Sequence, residues 1–272
     1  MEKKTNQPLG QNLNRKGKSP LAWLGGKSRL APTIIKRLPE HIAYVEVFAG
    51  AAWVLFTKPP SRVEIINDIN GELVRFYRCV RLHLPELLKQ FEWALIARDE
   101  WDAMLEQPVT GLTDIQRAAR FFYLAKMAYG AKLCNSSFGV AATGLPRLNL
   151  RDLPELLEQT RLRLQRVVVE NRPYGQVIDR FDKPGTLFYV DPPYWNCEDD
   201  YGKGIFGRGD FALLAEQLAG IKGKCLISLN DTPGVRETFG RWPCFKFEEV
   251  ATQYSVAARS VKPVVELLIS NY

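Results

Sequence analysis

Leu187-Phe188-Tyr189-Val190-Asp191-Pro192-Pro193-Tyr194-Trp195 decides how this chain is read. Four apolar residues rich in aromatic and β character predict a buried strand, which ends in an acid, two prolines and a tyrosine. Neither proline donates a backbone hydrogen bond and the second fixes φ, so the strand stops and the chain turns. What remains at its carboxyl end is one carboxylate, a stiff run of free carbonyls and an aromatic face. In an open α/β sheet, ligands bind there. A carboxylate and a carbonyl both accept from an exocyclic amino group, and the Tyr194 ring can stack on the base that carries it. Pro-Pro alone would be only a turn; the four residues after an apolar strand carry chemistry.

Upstream, Ala43-Tyr44-Val45-Glu46-Val47-Phe48-Ala49-Gly50-Ala51-Ala52-Trp53 reads as a strand, a small-residue turn and a helix. That is the layout of a nucleotide-binding first βα unit, but with one glycine where dinucleotide folds have three, so a ligand without phosphates fits better. A second strand over residues 63–69 ends in an acid, Asp68, about twenty residues after Gly50, where βαβ nucleoside sites place the acceptor for ribose hydroxyls. The two strand ends and the turn together favour an adenosine-type ligand. Earlier still, Gly25 and Gly26 allow close backbone approach and Lys27 offers a cation to an anionic group. This is not a Walker A loop, which needs a glycine four residues before Gly-Lys. A helix is expected over residues 28–37.

Residues 70–97 read as helices, with Leu73, Phe76, Tyr77 and Val80 at i, i+3, i+4, i+7 and Pro85 restarting the pattern. Residues 99–166 are too long for a crossover and predict an inserted helical unit before the strand at 167–170. From 110 to 166 there are nine Arg and Lys against four Asp and Glu, so five of the seven net positive charges lie there. Its glycine-rich centre, residues 129–139, mixes Lys132, Asn135, Ser136 and Ser137 with aromatics. With Lys126 and Arg147, those groups suit phosphate and base-edge contacts in a DNA groove. After the central strand, residues 196–210 are polar and glycine-rich, with Lys203 and Arg208, and are expected to form a mobile loop that closes on a bound strand. A helix at 211–221, a strand at 225–229, a helix at 233–239 and strands at 245–250 and 264–270 complete an α/β sheet.

The formal charge of +7 and a pI near 9.1 suggest a polyanionic partner. Five cysteines without a CxxC pair fit a reducing compartment. Two histidines exclude zinc or iron sites built on several of them. No apolar run is long enough to span a bilayer, so a soluble, cytoplasmic chain is expected. Residues 1–19 carry Lys3, Lys4, Arg15, Lys16 and Lys18 against Glu2 and are expected to be a basic flexible arm.

Taken in order, Trp23 with Gly25-Gly26-Lys27, Glu46-Val47-Phe48-Ala49-Gly50, Asn67-Asp68-Ile69-Asn70, Asp191-Pro192-Pro193-Tyr194 and the ending Glu266-Leu267-Leu268-Ile269-Ser270-Asn271-Tyr272 resemble the Dam family of DNA adenine-N6 methyltransferases. The likeness runs from about residue 20 to the carboxyl end, in the motif order of the α group. The resemblance implies S-adenosylmethionine as cofactor, double-stranded DNA as substrate, no metal, and a bacterial or phage setting. It implies an α/β fold with a seven-stranded Rossmann-like sheet. Residues 20–98 and 167–272 would be catalytic, and 99–166 an inserted helical target-recognition domain. Trp23 and Lys27 would hold the methionine end of the cofactor and Asp68 its ribose, while Phe48, Ile69 and Tyr174 line its adenosine. Gly25, Gly26, Glu46, Gly50 and Asp191 belong to the same cofactor motifs. Asp191 and the Pro192 carbonyl would accept from the adenine N6 amino group, with Pro193 stiffening the turn and Tyr194 stacking on a flipped base.

Two departures stand out. Ala51-Ala52-Trp53 replaces a more glycine-rich turn. Cys134-Asn135-Ser136-Ser137 and Ala142-Thr143-Gly144-Leu145-Pro146 stand where GATC readers carry Arg-Asn and Phe-Asn-x-Pro-x-Gly, so a different or relaxed target is an open alternative. Another amino acceptor (cytosine N4, RNA adenine, protein glutamine) is a second, and a silent DNA-binding module a third. Intact Asp191, Tyr194, Lys27 and Asp68 argue against the last.

Overall fold

A computed structural model gives the fold and describes residues 17–132, 136–140, 144–198, 202, 204–253 and 263–272. Lys3, Lys4, Arg15, Lys16, Cys134, Asn135 and Lys203 lie outside the described residues. In chain order the elements are α1 (Ala31–Ile35), β1 (Ala43–Glu46), α2 (Trp53–Thr57), β2 (Val63–Asn67), α3 (Gly71–Leu82), α4 (Leu84–Lys89) and α5 (Arg98–Glu106). Then come α6 (Asp114–Met127), α7 (Leu153–Leu164), β3 (Val167–Glu170), α8 (Tyr174–Phe181) and β4 (Thr186–Val190). The chain closes with α9 (Asp210–Ala219), β5 (Lys224–Asn230), α10 (Pro233–Gly240), β6 (Lys246–Gln253) and β7 (Pro263–Ser270).

Seven strands form one sheet in the order β3-β2-β1-β4-β5-β7-β6, parallel except for β7, which runs antiparallel between β5 and β6. The order reverses between β1 and β4, which opens a crevice at their carboxyl ends. Glu46 sits opposite Tyr189 across that pair, and the Val47 amide bonds to the Tyr189 carbonyl at 3.0 Å. The residues after Glu46 and the Asp191 turn therefore leave the sheet side by side.

The central strands are apolar throughout because both sheet faces are covered. Leu187 and Tyr189 point into one core with Tyr44 and Ile66, under α1, α2, α3, α6 and α7. Phe188 and Val190 point into the other with Val45, Ile65 and Ile227, under α8, α9 and α10. Asn70 caps α3, its side chain accepting from the Glu72 and Leu73 amides at 3.0 and 3.3 Å, and the Leu73, Phe76, Tyr77, Val80 stripe is buried. Pro85 falls in the first turn of α4, where its missing N–H is tolerated. A capping box of Thr113 and Gln116 starts α6. Phe122 of that helix stacks on Phe76 at 5.1 Å. At the other end of the 99–166 segment, Arg163 of α7 bonds both Glu64 oxygens, at 2.5 and 2.8 Å, and the Leu55 carbonyl at 2.8 Å. The helices of the segment thus share one core with the sheet.

Local bounds differ from the sequence reading for physical reasons. Residues 28–30 form a turn rather than helix, and α1 begins at Ala31 because Pro32 fits only a first helical turn. β2 stops at Asn67, since Asp68 turns away to accept backbone amides from Gly50 and Asn70. Ser19, grouped above with the basic arm, is buried and donates to the Ala51 carbonyl at 2.5 Å. Among the described residues, no helix is long and apolar enough to cross a membrane.

Candidate active site

The turn after β1 is shaped by its one glycine. Gly50 has φ +48°, and a Cβ there would lie 2.6 Å from Trp23 Nε1. Glycine both permits the backbone and lets the indole close over it. The Gly50 amide donates to Asp68 Oδ2 at 2.8 Å and the Asn70 amide to Oδ1 at 2.9 Å, while the Tyr77 hydroxyl donates to the Gly50 carbonyl at 3.0 Å. Ala52 carries a second left-handed conformation, φ 50°, with no glycine to ease it.

Around this turn lies a cavity of about 500 Å³. Trp23, Gly25, Gly26 and Lys27 line one side; Glu46, Phe48, Gly50, Asp68 and Ile69 line the floor; Tyr174, Asp191 and Pro193 close it. The structure therefore brings all eleven expected cofactor residues to one cavity. Phe48, Tyr174 and Phe206 form an aromatic corner with ring centroids 5.5–5.9 Å apart. The Tyr174 hydroxyl donates to Asp210 Oδ1 at 3.1 Å, and burial together with that carboxylate pushes its pKa up to about 12. Phe206 and Asp210 come from the segment expected to be a mobile loop, yet Phe206 is buried in the corner. Ala131, in the inserted segment, also lines the cavity.

Carboxyls that are buried (Glu46) or half-buried (Asp68, Asp191) surround the cavity. Burial pushes Glu46 up to about 8, although the Tyr44 hydroxyl and the Leu55 amide donate to its Oε2 at 3.0 and 3.1 Å. Asp68 is likewise raised by burial. Asp191 is raised by burial against the opposing charge of Lys27, whose ammonium lies 2.6 Å from Oδ1. Ser228 of β5 donates to the same oxygen at 3.0 Å and lies 2.9 Å from the Tyr189 hydroxyl. Both donors converge on Oδ1. Lys27 also bonds the Gly25 carbonyl at 3.1 Å and lies 4.7 Å from the centroid of the Tyr194 ring. The Tyr194 hydroxyl donates to Glu266 of β7, a fully buried acid that lies 3.7 Å from the same ammonium. Ser228 and Glu266 are not among the site residues expected from sequence, though a polar residue inside each apolar run, Ser228 within 225–229 and Glu266 within 264–269, was the available signal.

The turn itself is braced from outside. Asn230 accepts from the Trp195 amide and donates to its carbonyl, both at 3.0 Å. The indole packs on Gly234, where a Cβ would lie 2.1 Å from the ring, and on Phe211 at 4.9 Å. Arg208 stacks over it at 4.0 Å and is held by Glu198 and Asn196 at 2.8 and 2.7 Å. Pro192 and Pro193 are buried beneath.

The expected DNA contacts are spread more widely. Lys126 sits half-buried in the last turn of α6, 5.7 Å from the Phe122 ring centroid, and burial with the nearby charges of Lys18 and Arg147 lowers its pKa to about 8. Arg147 is exposed and donates to the Ala128 carbonyl at 3.3 Å. Lys132 and Ser137 are exposed and Ser136 partly so, on a segment folded back by Ala128–Phe138 bridging.

The description "D12 class N6 adenine-specific DNA methyltransferase" matches residues 23–256. The chain belongs to this family. The DNA adenine methylase of Salmonella typhi is 27% identical over 239 residues, 83% of this chain and 85% of its own length. That of Escherichia coli K12 is 26% identical over 270 residues, 93% and 95% of the two chains. A type II methyltransferase of Paramecium bursaria Chlorella virus NC1A is 23% identical over 236 residues, 84% and 88%. The protein is a site-specific adenine DNA methyltransferase, and its sheet is the methyltransferase α/β sheet.

Proposed function

We propose that the 500 Å³ cavity binds S-adenosylmethionine and that Asp191 Oδ2 receives the N6 amino group of an adenine turned out of double-stranded DNA. When bound, the cofactor supplies a methyl group on positively charged sulfur. The fit rests on chemistry present in the chain. Each Asp68 oxygen accepts one backbone amide and keeps a lone pair for a ribose hydroxyl. The corner of Phe48, Tyr174 and Phe206 offers flat faces to a purine. Trp23 and Gly25 to Lys27 are left for the methionine end.

The observation that carries the reading is the saturation of Asp191 Oδ1 by Lys27 and Ser228. Oδ2 is the oxygen available for an amino hydrogen, and the Pro192 carbonyl follows it in the chain. The N6 lone pair is delocalised into the purine and is a poor nucleophile. Two fixed acceptors on its hydrogens pull the nitrogen toward tetrahedral geometry and localise that pair for in-line attack. As the N–C bond would form, the methyl's bond to sulfur would break with its electron pair left on sulfur, and N6 would lose one proton, which Asp191, made more basic by burial, accepts. Tyr194 would hold the flipped base by stacking.

Target choice is assigned to the 99–166 segment, with Lys126, Lys132, Ser136, Ser137 and Arg147 toward the duplex and Arg208 beside the turn. Its departures from the GATC pattern favour another or a broader site. Bacterial and viral relatives support work in a bacterial cytoplasm. Labelled S-adenosylmethionine and unmethylated plasmid, followed by nucleoside analysis and modification-aware sequencing, test all of this. The expected product is N6-methyladenine in one short motif. N4-methylcytosine, or methylation of RNA or protein but not of DNA, would overturn the reading.

A further inference from the structure

Glu266 is a buried acid to which the mechanism gives no task. Glu266 sits in β7, opposite Asn230 of β5 and Val250 of β6, with no exposed surface. An ionised carboxyl in such a place is costly to strip of water, and an apolar residue like its neighbours Leu267 and Leu268 would avoid that cost. One of its two oxygens, Oε1, takes the Tyr194 hydroxyl and lies 3.7 Å from the Lys27 ammonium. Lys27 thus stands between two carboxylates, at 2.6 Å from Asp191 and 3.7 Å from Glu266, with the Tyr194 ring 4.7 Å below it.

We propose that Glu266 is a positioning residue for adenine methylation: it anchors the Tyr194 ring on which the base stacks and shares Lys27, so that Asp191 is not fully neutralised. The proposal rests on the reading of Asp191 and Tyr194 given above. Asp191 is faced by Lys27, by Tyr189 of β4, by Ser228 of β5 and, through space, by Glu46 of β1, while Glu266 of β7 reaches it through the shared Lys27. Of these, Glu266 is the one that competes for Lys27 while also fixing the stacking ring. Removing its charge commits the ammonium to Asp191 and makes that carboxylate a poorer acceptor for the N6 proton.

The test compares Glu266→Gln and Tyr194→Phe in the full chain. Glutamine still accepts from the Tyr194 hydroxyl, so KM for DNA should stay within about twofold. Its kcat should fall about ten- to hundredfold, less than the roughly 10²–10⁴-fold lost when a general base is removed outright. The acidic limb of the kcat–pH profile should move to lower pH, because Lys27, no longer shared with a second carboxylate, pairs more fully with Asp191 and lowers its pKa. Tyr194→Phe keeps the ring but loses the anchor. Its KM should rise and 2-aminopurine fluorescence at the target position should fall, with the pH limb little changed. A merely structural role would lower the melting temperature without moving the limb. Wild-type kcat and pH profile in Glu266→Gln would overturn the proposal. If that variant fails to fold, unchanged KM and fluorescence in Tyr194→Phe would overturn it. Full activity in Asp191→Ala would instead overturn the underlying reading.

Discussion

Lys27 and Asp191, 164 positions apart in sequence, meet as an ion pair 2.6 Å long at the point where the sheet changes direction. The pair joins the cofactor side of the cavity to the turn that receives the base. Neither group is alone with the other: Ser228 shares Asp191 and Glu266 shares Lys27. That arrangement decides what happens when one partner is removed.

Asp191→Ala should abolish methyl transfer while leaving cofactor and DNA binding within a few-fold. Loss of a fixed acceptor and proton receiver costs about 10²–10⁴ in rate. Lys27 keeps Glu266 as counter-charge, so the fold should survive. Single-turnover transfer, titration calorimetry with the cofactor and a DNA shift assay check the three parts. Substantial turnover in the variant would contradict the role given to Oδ2.

Gly50→Ala places a methyl group 2.6 Å from Trp23 Nε1 at a left-handed φ. Both effects strain the turn that lines the cavity, at about 1–3 kcal/mol. We predict weaker cofactor binding and a lower melting temperature. Adding Trp23→Ala should return part of the stability but not the affinity, because it relieves the clash and removes a cavity wall. Full recovery of binding in the double variant would show that Trp23 is not part of the site.

Much of this was legible in the sequence, and what was not has a common cause. The buried strands announced themselves because two covered faces demand apolar residues at every position, as in 187–190. Gly50 and Asp68 were legible because a turn at a strand end limits what backbone and side chain can do. Ser228 and Glu266 were opaque, since their roles depend on β7 entering antiparallel between β5 and β6, a pairing no local pattern encodes. Lys126 reads in the sequence as an open phosphate contact, yet α6 packs on α3 and draws the stem inward. Phe206 hid in a glycine-rich stretch that read as loop.

Glu46 should make stability fall as pH rises. Its carboxyl titrates near 8 in the folded chain against 4.5 ordinarily. Between those values the unfolded chain is ionised and the folded one is not, so the protonated acid's full contribution is present below 4.5 and is lost as pH rises toward 8. Glu46→Gln retains an acceptor for Tyr44 and Leu55. Denaturant melts of cofactor-free protein should show it more stable than wild type at pH 8, by on the order of a few kcal/mol, and nearly equal at pH 5. An equal gain at both pH values would refute this.

Lys126 offers the converse case. Burial, then the charges of Lys18 and Arg147, lower its pKa to about 8, so folding disfavours its charged form. The stability contributed by the neutral amine is present above 10.5 and is lost as pH falls through about 8. Lys126→Met should therefore melt higher than wild type at pH 7, with the difference shrinking toward pH 10. A DNA phosphate brought to this cluster would reverse the balance and draw a proton onto the amine. DNA binding near pH 8.5 should then be accompanied by proton uptake, read as a dependence of calorimetric heat on buffer ionisation enthalpy. In Lys126→Met the uptake should vanish and the slope of log affinity against log salt should drop by about one. If uptake and slope are unchanged in the variant, Lys126 does not face the DNA and the duplex approaches from another side of the segment.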